Sequence, residues 1–294
     1  MIESAQYQTG SAPWNSLQSS NAGVVVEVVA QLKNGYRNEA LRLLHETASY
    51  INEVKKDRVT MLSFQELGTL GHLHVLLHLS SLNDYNELCE MATRDDHFCK
   101  ILEQNALPAS KGGAAWDTMF IDGSIKATVM LPQFRGMYGA AAAVVEVKPS
   151  QPLIGLPPAY HQFTFPLNEI IHSANAGLML HRSAQLKYEF RSEGRQFARD
   201  VVDSINSKAR GEATCFLYED AFGASDTLHW LIAMKDIGSY YPLIKLHATD
   251  PEVRELYFRE TLPLEKGGGN WSRMFVEGSM FDFAFSPVQF KRNV

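Results

Sequence analysis

The chain says nearly the same thing twice. Lys111-Gly112-Gly113, Trp116 and Met119-Phe120-Ile121-Asp122-Gly123-Ser124 return at an offset of 155 as Lys266-Gly267-Gly268, Trp271 and Met274-Phe275-Val276-Glu277-Gly278-Ser279. Upstream, Ser19-Ser20-Asn21-Ala22-Gly23 with Ala30-Gln31-Leu32-Lys33 returns at an offset of 154 as Ser173-Ala174-Asn175-Ala176-Gly177 with Ala184-Gln185-Leu186-Lys187. A period this long is no solenoid repeat. Each copy is domain-sized, and 294 residues accommodate two domains. The expectation is a tandem duplication packed as a pseudo-dimer: a first domain over 1–134, a Pro-rich connector over 135–172 and a second domain over 173–294.

Hydrophobic periodicity gives each copy the same order of elements. In the first, Gly23 to Leu32 reads as a strand, Tyr36 to Val54 as an amphipathic helix, and Arg58 to Leu67 and His72 to Ser80 as two strands around a Gly-containing turn. A second helix runs from Asn83 or Asp84 to about Gln104, and a last strand from Thr118 to Leu131. The second copy gives strands over 178–186, 213–219, 227–235 and 273–285, with helices over 191–207 and 240–260. The connector carries Pro149, Pro152, Pro157, Pro158 and Pro166, which favour extended chain. Within it, Ala140 to Val147 could add an edge strand.

β-α-β-β-α-β is the ferredoxin-like split unit, so the fold class is α+β. Two such units, each needing cover for an open sheet face, resemble the dimeric α/β-barrel superfamily. There two sheets close around one barrel with the helices outside. The tandem form, and the segment Leu228-His229-Trp230-Leu231-Ile232-Ala233-Met234-Lys235 followed by Tyr240, resemble the NIPSNAP-like and polyketide-monooxygenase-like members. The resemblance implies an intrachain pseudo-dimeric α/β barrel. It also implies a menu of chemistries, from cofactor-independent oxygenation and isomerisation to haem enzymes and non-catalytic binding or assembly proteins. Fold alone does not choose among them.

Strand parity narrows the search. Alternate residues face opposite sides. Val24, Val26, Val28 and Ala30 are all apolar, whereas their neighbours include Glu27 and Gln31. Leu73, Val75, Leu77 and Leu79 share one face, and His72, His74 and His78 share the other. In the second copy the polar face carries His181, Gln185 and His229. Helices cover the apolar faces, so the polar faces line the barrel. A buried polar group left without a partner costs roughly 1–3 kcal/mol, so this set either pairs internally or serves a ligand. His74 and His229 are the candidate proton-transfer groups, with Glu27 and His181 orienting them. Gln31, Gln185, His72 and His78 are the candidate substrate-binding groups. Glu27 stands where the second copy has His181, which marks the two halves as specialised.

The competing chemistries find little support. HExxH, CxxC, GxSxG, GxGxxG and GxxxxGK[ST] are absent. Metal is a minor alternative: His74 and His78 stand roughly 13 Å apart along a strand, whereas His72 and His74, at about 7 Å, make the better pair. Haem is the other, implied by the resemblance alone; the working expectation is no cofactor. The repeated KGG-x-x-W-x-x-MF segment reads as a structural clasp, with a backbone anion nest as its alternative. A net charge of −6 without a basic block argues against nucleic acid. Three cysteines without a CxxC pair, no signal-like N-terminus and no apolar run of roughly 18 residues point to a reduced, cytoplasmic setting without a membrane span. The expected partner is a small, largely apolar organic molecule, with a homo-oligomer as a further expectation.

Overall fold

The structure is a computed structural model that describes residues 3–10, 16–133 and 158–290. The suggested edge strand at Ala140 to Val147 lies outside the described residues. Half one runs β1 (Val24–Gln31), α1 (Arg37–Val54), β2 (Val59–Glu66), β3 (His72–Leu79), α2 (Leu82–Arg94), α3 (Asp96–Gln104) and β4 (Lys126–Pro132). Half two runs β5 (Leu178–Gln185), α4 (Arg191–Lys208), β6 (Ala213–Asp220), β7 (Thr227–Met234), α5 (Tyr240–Thr249), α6 (Pro251–Phe258) and β8 (Phe281–Pro287).

The eight strands close into one antiparallel barrel in the order β1-β3-β2-β8-β5-β7-β6-β4. Four places round the barrel carry each strand of half one onto its counterpart in half two, with direction preserved. The pseudo-two-fold therefore runs along the barrel axis. Two seams join the halves, and both are short. β2 pairs with β8 over Phe64–Glu66, and β4 with β6 over Met130–Pro132. Within each half, β1 and β3, like β5 and β7, pair along their whole length.

Three cores follow from strand parity. Val24, Val26, Ala30, Leu73, Val75 and Leu79 pack under α1, whose Ala40, Leu43, Leu44, Ala48 and Ile51 recur at helical spacing. Leu178, Leu180, Trp230 and Ile232 do the same under α4. The third core fills the barrel: Val25, Leu62, Phe64, Leu76, Met130, Met179, Phe216, Tyr218, Leu231 and Phe285 are all buried.

Two expectations need correction. Each predicted second helix is two helices, broken at Asp95 in half one and at Asp250 in half two. Both side chains accept from the backbone N–H groups two and three residues on, which starts a new helix rather than continuing the old one. Pro251 at the first position of α6 reinforces the break. The last strands also begin later than expected. Trp116–Met119 and Trp271–Arg273 are 3-10 turns, and Gly123 and Gly278 take φ of 73° and 75° in the turns that follow. That left-handed conformation is why glycine sits in both turns.

The two repeated motifs brace equivalent places. Lys111 Nζ donates to Glu39 Oε1 at 2.6 Å and to the Gly35 carbonyl at 2.9 Å. Lys266 Nζ donates to Glu193 Oε1 at 2.6 Å and to the Glu189 carbonyl at 2.9 Å. Each lysine thus ties its loop to the start of the long helix of its own half, the geometry of a clasp. At the far end of the axis, Ser19 and Ser173 each donate a backbone N–H to the other's hydroxyl, at 3.0 and 3.1 Å.

Candidate functional site

The interior faces of β1, β3, β5 and β7 bring four of the predicted polar residues, Glu27, His74, His181 and His229, to one level of the barrel, where they meet. Glu27 and His181 hold equivalent positions, so the pseudo-two-fold brings them face to face on the axis. Glu27 Oε2 lies 2.6 Å from His181 Nδ1, off the direction of a well-aligned hydrogen bond. Glu27 Oε1 lies 2.8 Å from His74 Nδ1. His181 Nε2 lies 2.9 Å from His229 Nδ1.

Two acids extend the line to both sides. His74 Nε2 is 3.2 Å from Glu66 Oε2, which is also 2.9 Å from His72 Nδ1. His229 Nε2 is 3.0 Å from Asp220 Oδ1. Asp220–His229–His181–Glu27–His74–Glu66–His72 is thus one unbroken line. His74 is fully buried, Glu27 and His229 are each 4% exposed at the side chain, and His72 reaches solvent at 24%. Glu66 and Asp220 escaped the sequence reading. They end equivalent strands at an offset of 154, which was the available signal.

The two equivalent histidines have opposite proton preferences. Burial works against a charge on His74, but its bonds to Glu27 and Glu66 prevail and raise its pKa. The Phe285 ring stacks on it, with centroids 4.6 Å apart. Burial lowers the pKa of His229; Asp220 pulls the other way, but the charge of His181 adds to the lowering. Burial would raise Glu27, yet the charges and hydrogen bonds of His181 and His74 hold its carboxyl far below the usual range.

The remaining predicted residues stand apart. His78 lies towards the other end of the barrel, fully buried, with Nε2 2.9 Å from Ser173 Oγ. Burial pushes its pKa down to about 3, so it is neutral. Gln185 Nε2 makes only a long bond, 3.4 Å, to the Ser225 carbonyl at the strand end, and Gln31 is half-buried at the equivalent strand end. Neither reaches the line, because each sits four residues further along its strand, at the barrel mouth.

A second feature lies outside the barrel, in half two alone. Between the sheet and helices α4, α5 and α6 is an apolar cleft of about 100 Å³. Phe197, Trp230, Tyr257, Trp271 and Phe275 wall it, and Arg182, Tyr240 and His247 supply polar groups. Trp271 stacks on Phe197 at 5.7 Å, and His247 meets the Tyr257 ring at 4.6 Å. Arg182 forks onto Asp282 through Nε and Nη2, both at 2.7 Å. Burial lowers the pKa of His247 and Arg182 adds to it, while burial pushes Tyr257 up to about 12. By offset, half one has Val28 for Arg182, Val75 for Trp230 and Ala127 for Asp282. Arg182 was legible as the one charge among Leu178, Leu180 and Ala184 on a helix-facing row.

A closed barrel of two ferredoxin-like sheets with helices outside defines a dimeric α/β-barrel protein. Within that class, the chain belongs to a family of unknown function, DUF6039, whose model matches residues 1–293. No curated protein matches it in sequence. In structure it is similar to a provisionally named monooxygenase from Fusobacterium nucleatum, at 9% identity and a TM-score of 0.51, covering 93% of this chain and 94% of that one. A provisionally named monooxygenase from Lactobacillus acidophilus gives 7% identity and a TM-score of 0.50, over 89% and 92%. An anthrone oxidase-like protein gives 8% and 0.48, over 93% and 94%. Identities this low speak for the fold alone.

Proposed function

We propose that the chain is an enzyme for a small, apolar, ring-containing molecule, using acid–base or oxygenase-type chemistry, and that the half-two cleft holds the substrate. The observation that carries this reading is the cleft itself: half one keeps the aromatic pair Trp116 and Phe120 but has Val28, Leu43 and Val75 where half two has Arg182, Phe197 and Trp230, so the guanidinium and the wider aromatic wall belong to half two alone. The barrel interior, expected to be the binding space, is occupied by side chains that partner one another. At about 100 Å³ the cleft is smaller than the roughly 150 Å³ cavity that takes up benzene, so a single ring is the most that it holds without opening further. A haem macrocycle does not fit that space. Among the described residues no group of three or more His, Cys, Asp or Glu is arranged to hold a metal ion.

The polar groups suit a phenol-like substrate. Asp282 occupies Nε and Nη2 of Arg182, which fixes the guanidinium and leaves Nη1 to donate to a ring oxygen. His247 is held neutral, so it can accept the O–H proton. The resulting phenolate is stabilised by Arg182, and the electron-rich ring is the form that either reprotonates at carbon or reacts with dioxygen.

Calorimetric titration with phenol and toluene tests this. The wild type should bind both, and phenol more tightly. Arg182→Met should weaken phenol by about tenfold, or 1.4 kcal/mol, and leave toluene unchanged. Absence of binding by either compound would remove the cleft as a substrate site. Equal affinities unaffected by Arg182→Met would remove the role given to the guanidinium.

A further inference from the structure

The line on the barrel axis carries a proton count that its geometry dictates. An ionised carboxylate only accepts hydrogen bonds, and each imidazole nitrogen donates only if it carries a proton. Both nitrogens of His74 face carboxylate oxygens, those of Glu27 and Glu66, so His74 needs both protons and is an imidazolium. His181 and His229 make two hydrogen bonds, to each other and to Asp220, and His181 Nδ1 also lies 2.6 Å from Glu27 Oε2, an ion-pair contact too short for an unprotonated nitrogen facing a carboxylate oxygen. Three contacts need three protons, and two neutral rings carry two. The pair therefore holds one extra, and it belongs to His181, beside ionised Glu27. His229 is then the neutral ring, accepting from His181 at Nδ1 and donating from Nε2 to Asp220.

The line also spans the molecule in a particular way. Glu66 belongs to the β2–β8 seam, opposite Phe285, and Asp220 to the β4–β6 seam, opposite Met130. The line thus runs from one short seam to the other and crosses between halves at the Glu27–His181 contact. We propose that it is a proton-operated lock between the halves: two buried protons, on His74 and His181, close it across the axis, and loss of either opens it. Without the His181 proton, a nitrogen lone pair faces either another lone pair or a carboxylate. Without the His74 proton, one does so at Glu27 or Glu66. Each such contact is repulsive in a buried setting and pushes the seams apart.

The surroundings leave the count intact. The ionisable groups facing the line are its own, Glu27 from β1, Glu66 from β2, His72 and His74 from β3, His181 from β5, Asp220 from β6 and His229 from β7, together with Tyr218 of β6 opposite His229, which burial keeps neutral and whose hydroxyl donates to the Ser19 carbonyl. β8 brings Phe283 and Phe285 against His74. β4 brings Met130 on its interior face, with Lys126 on the same face but exposed at the mouth.

Four backbone N–H groups report on the seams: Leu67 and Val288 bridge β2 and β8, and Gln133 and Ala221 bridge β4 and β6. Their hydrogen-exchange protection, corrected for intrinsic exchange, should fall at least about tenfold in the full chain as pH rises from neutral to about 9, while protection along β1 and β3 holds. Glu27→Gln should start with weakened seams and show no further loss. Nitrogen-15 spectra of the wild-type imidazoles should show His74 and His181 doubly protonated at neutral pH and His229 carrying its proton on Nε2. Seam protection that tracks β1 and β3 at every pH would overturn the lock, as would a Glu27→Gln profile identical to wild type. If Glu27→Gln fails to fold, a neutral His74 or His181 in the wild-type spectra overturns it independently.

Discussion

His74 and His229 occupy the same place in the sheets of the two halves, yet one favours its proton and the other resists it. Neither burial nor strand position separates them; their neighbours do. His74 lies between two carboxylates, His229 between a carboxylate and a histidine. A single difference at the axis, Glu27 opposite His181, produces this. A symmetric barrel with an acid at both positions would place two carboxylates in contact there, and like charges in a buried site cannot both persist. The outer faces diverge as well. Half two opens an aromatic cleft over its sheet and buries Arg195 against Glu219 and Asp226, where half one has Leu41 and Gln65 for Arg195 and Glu219.

Restoring symmetry is the hardest test of this contrast. His181→Glu puts two carboxylates on the axis and should cost about 3–5 kcal/mol in denaturant unfolding at neutral pH. Part of that should return on acidification, when one of the two acids protonates. A loss below about 1 kcal/mol would mean that the axial contact is not what couples the halves.

Arg195→Ala should cost nearly as much, about 3 kcal/mol, because buried Glu219 loses its counter-charge and keeps only the Gln133 amide. Arg195→Leu with Glu219→Gln, the residue pair of half one, should recover most of it. A double variant no more stable than the single one would show that the ion pair is not exchangeable for its counterpart.

Smaller effects should follow at the cleft. Trp230→Val, which copies Val75, should cost about 2–3 kcal/mol and enlarge the binding space. The reverse change, Val75→Trp, should overpack half one by about 1–3 kcal/mol. Unfolding curves for both would show whether the two sheet faces are as different as their residues.

The two histidines should then differ in the sign of their pH dependence. The pKa of His74 is raised, so its contribution is fully present below the ordinary histidine range and lost as pH rises through the higher folded value. The pKa of His229 is lowered, so its neutral form is favoured in the fold, and its contribution is lost as pH falls below the ordinary range. Subtracting the stability of His74→Gln, and of His229→Gln, from that of the wild type across pH should give opposite slopes, each at most about 1.4 kcal/mol per pH unit. Slopes of the same sign would contradict the neighbours assigned to one of the two. The smallest effect is expected where the halves agree. Lys111→Met and Lys266→Met should each cost about 0.5 kcal/mol, since both clasps are partly exposed ion pairs with matching geometry.

Much of this was legible before the structure. The offsets of 154 and 155 align every strand of one half with its counterpart, and alternation at Val24 to Gln31 and His72 to Leu79 tells the helix-facing row from the interior row. That is local information: a strand has a period of two, and a slip of one residue would bury the polar row under the helices. The breaks at Asp95 and Asp250 were legible too, as helix-starting acids inside a long apolar pattern, but periodicity alone runs through them. Gln31 and Gln185 show the limit of parity. They share a face with Glu27 and His181 yet stand too far along the strand to join them.

What the sequence determined by itself was the repeated unit and which face of each strand is polar, because both depend only on near neighbours in the chain. Tertiary structure alone decided that Glu27 meets His181, that Glu66 and Asp220 finish the line, and that the open cleft lies under the helices of half two. Those facts depend on where the pseudo-two-fold axis falls and on how strands from distant parts of the chain are staggered around a closed barrel. Residues 154 positions apart come within 2.6 Å only because that closure puts equivalent side chains on a common axis.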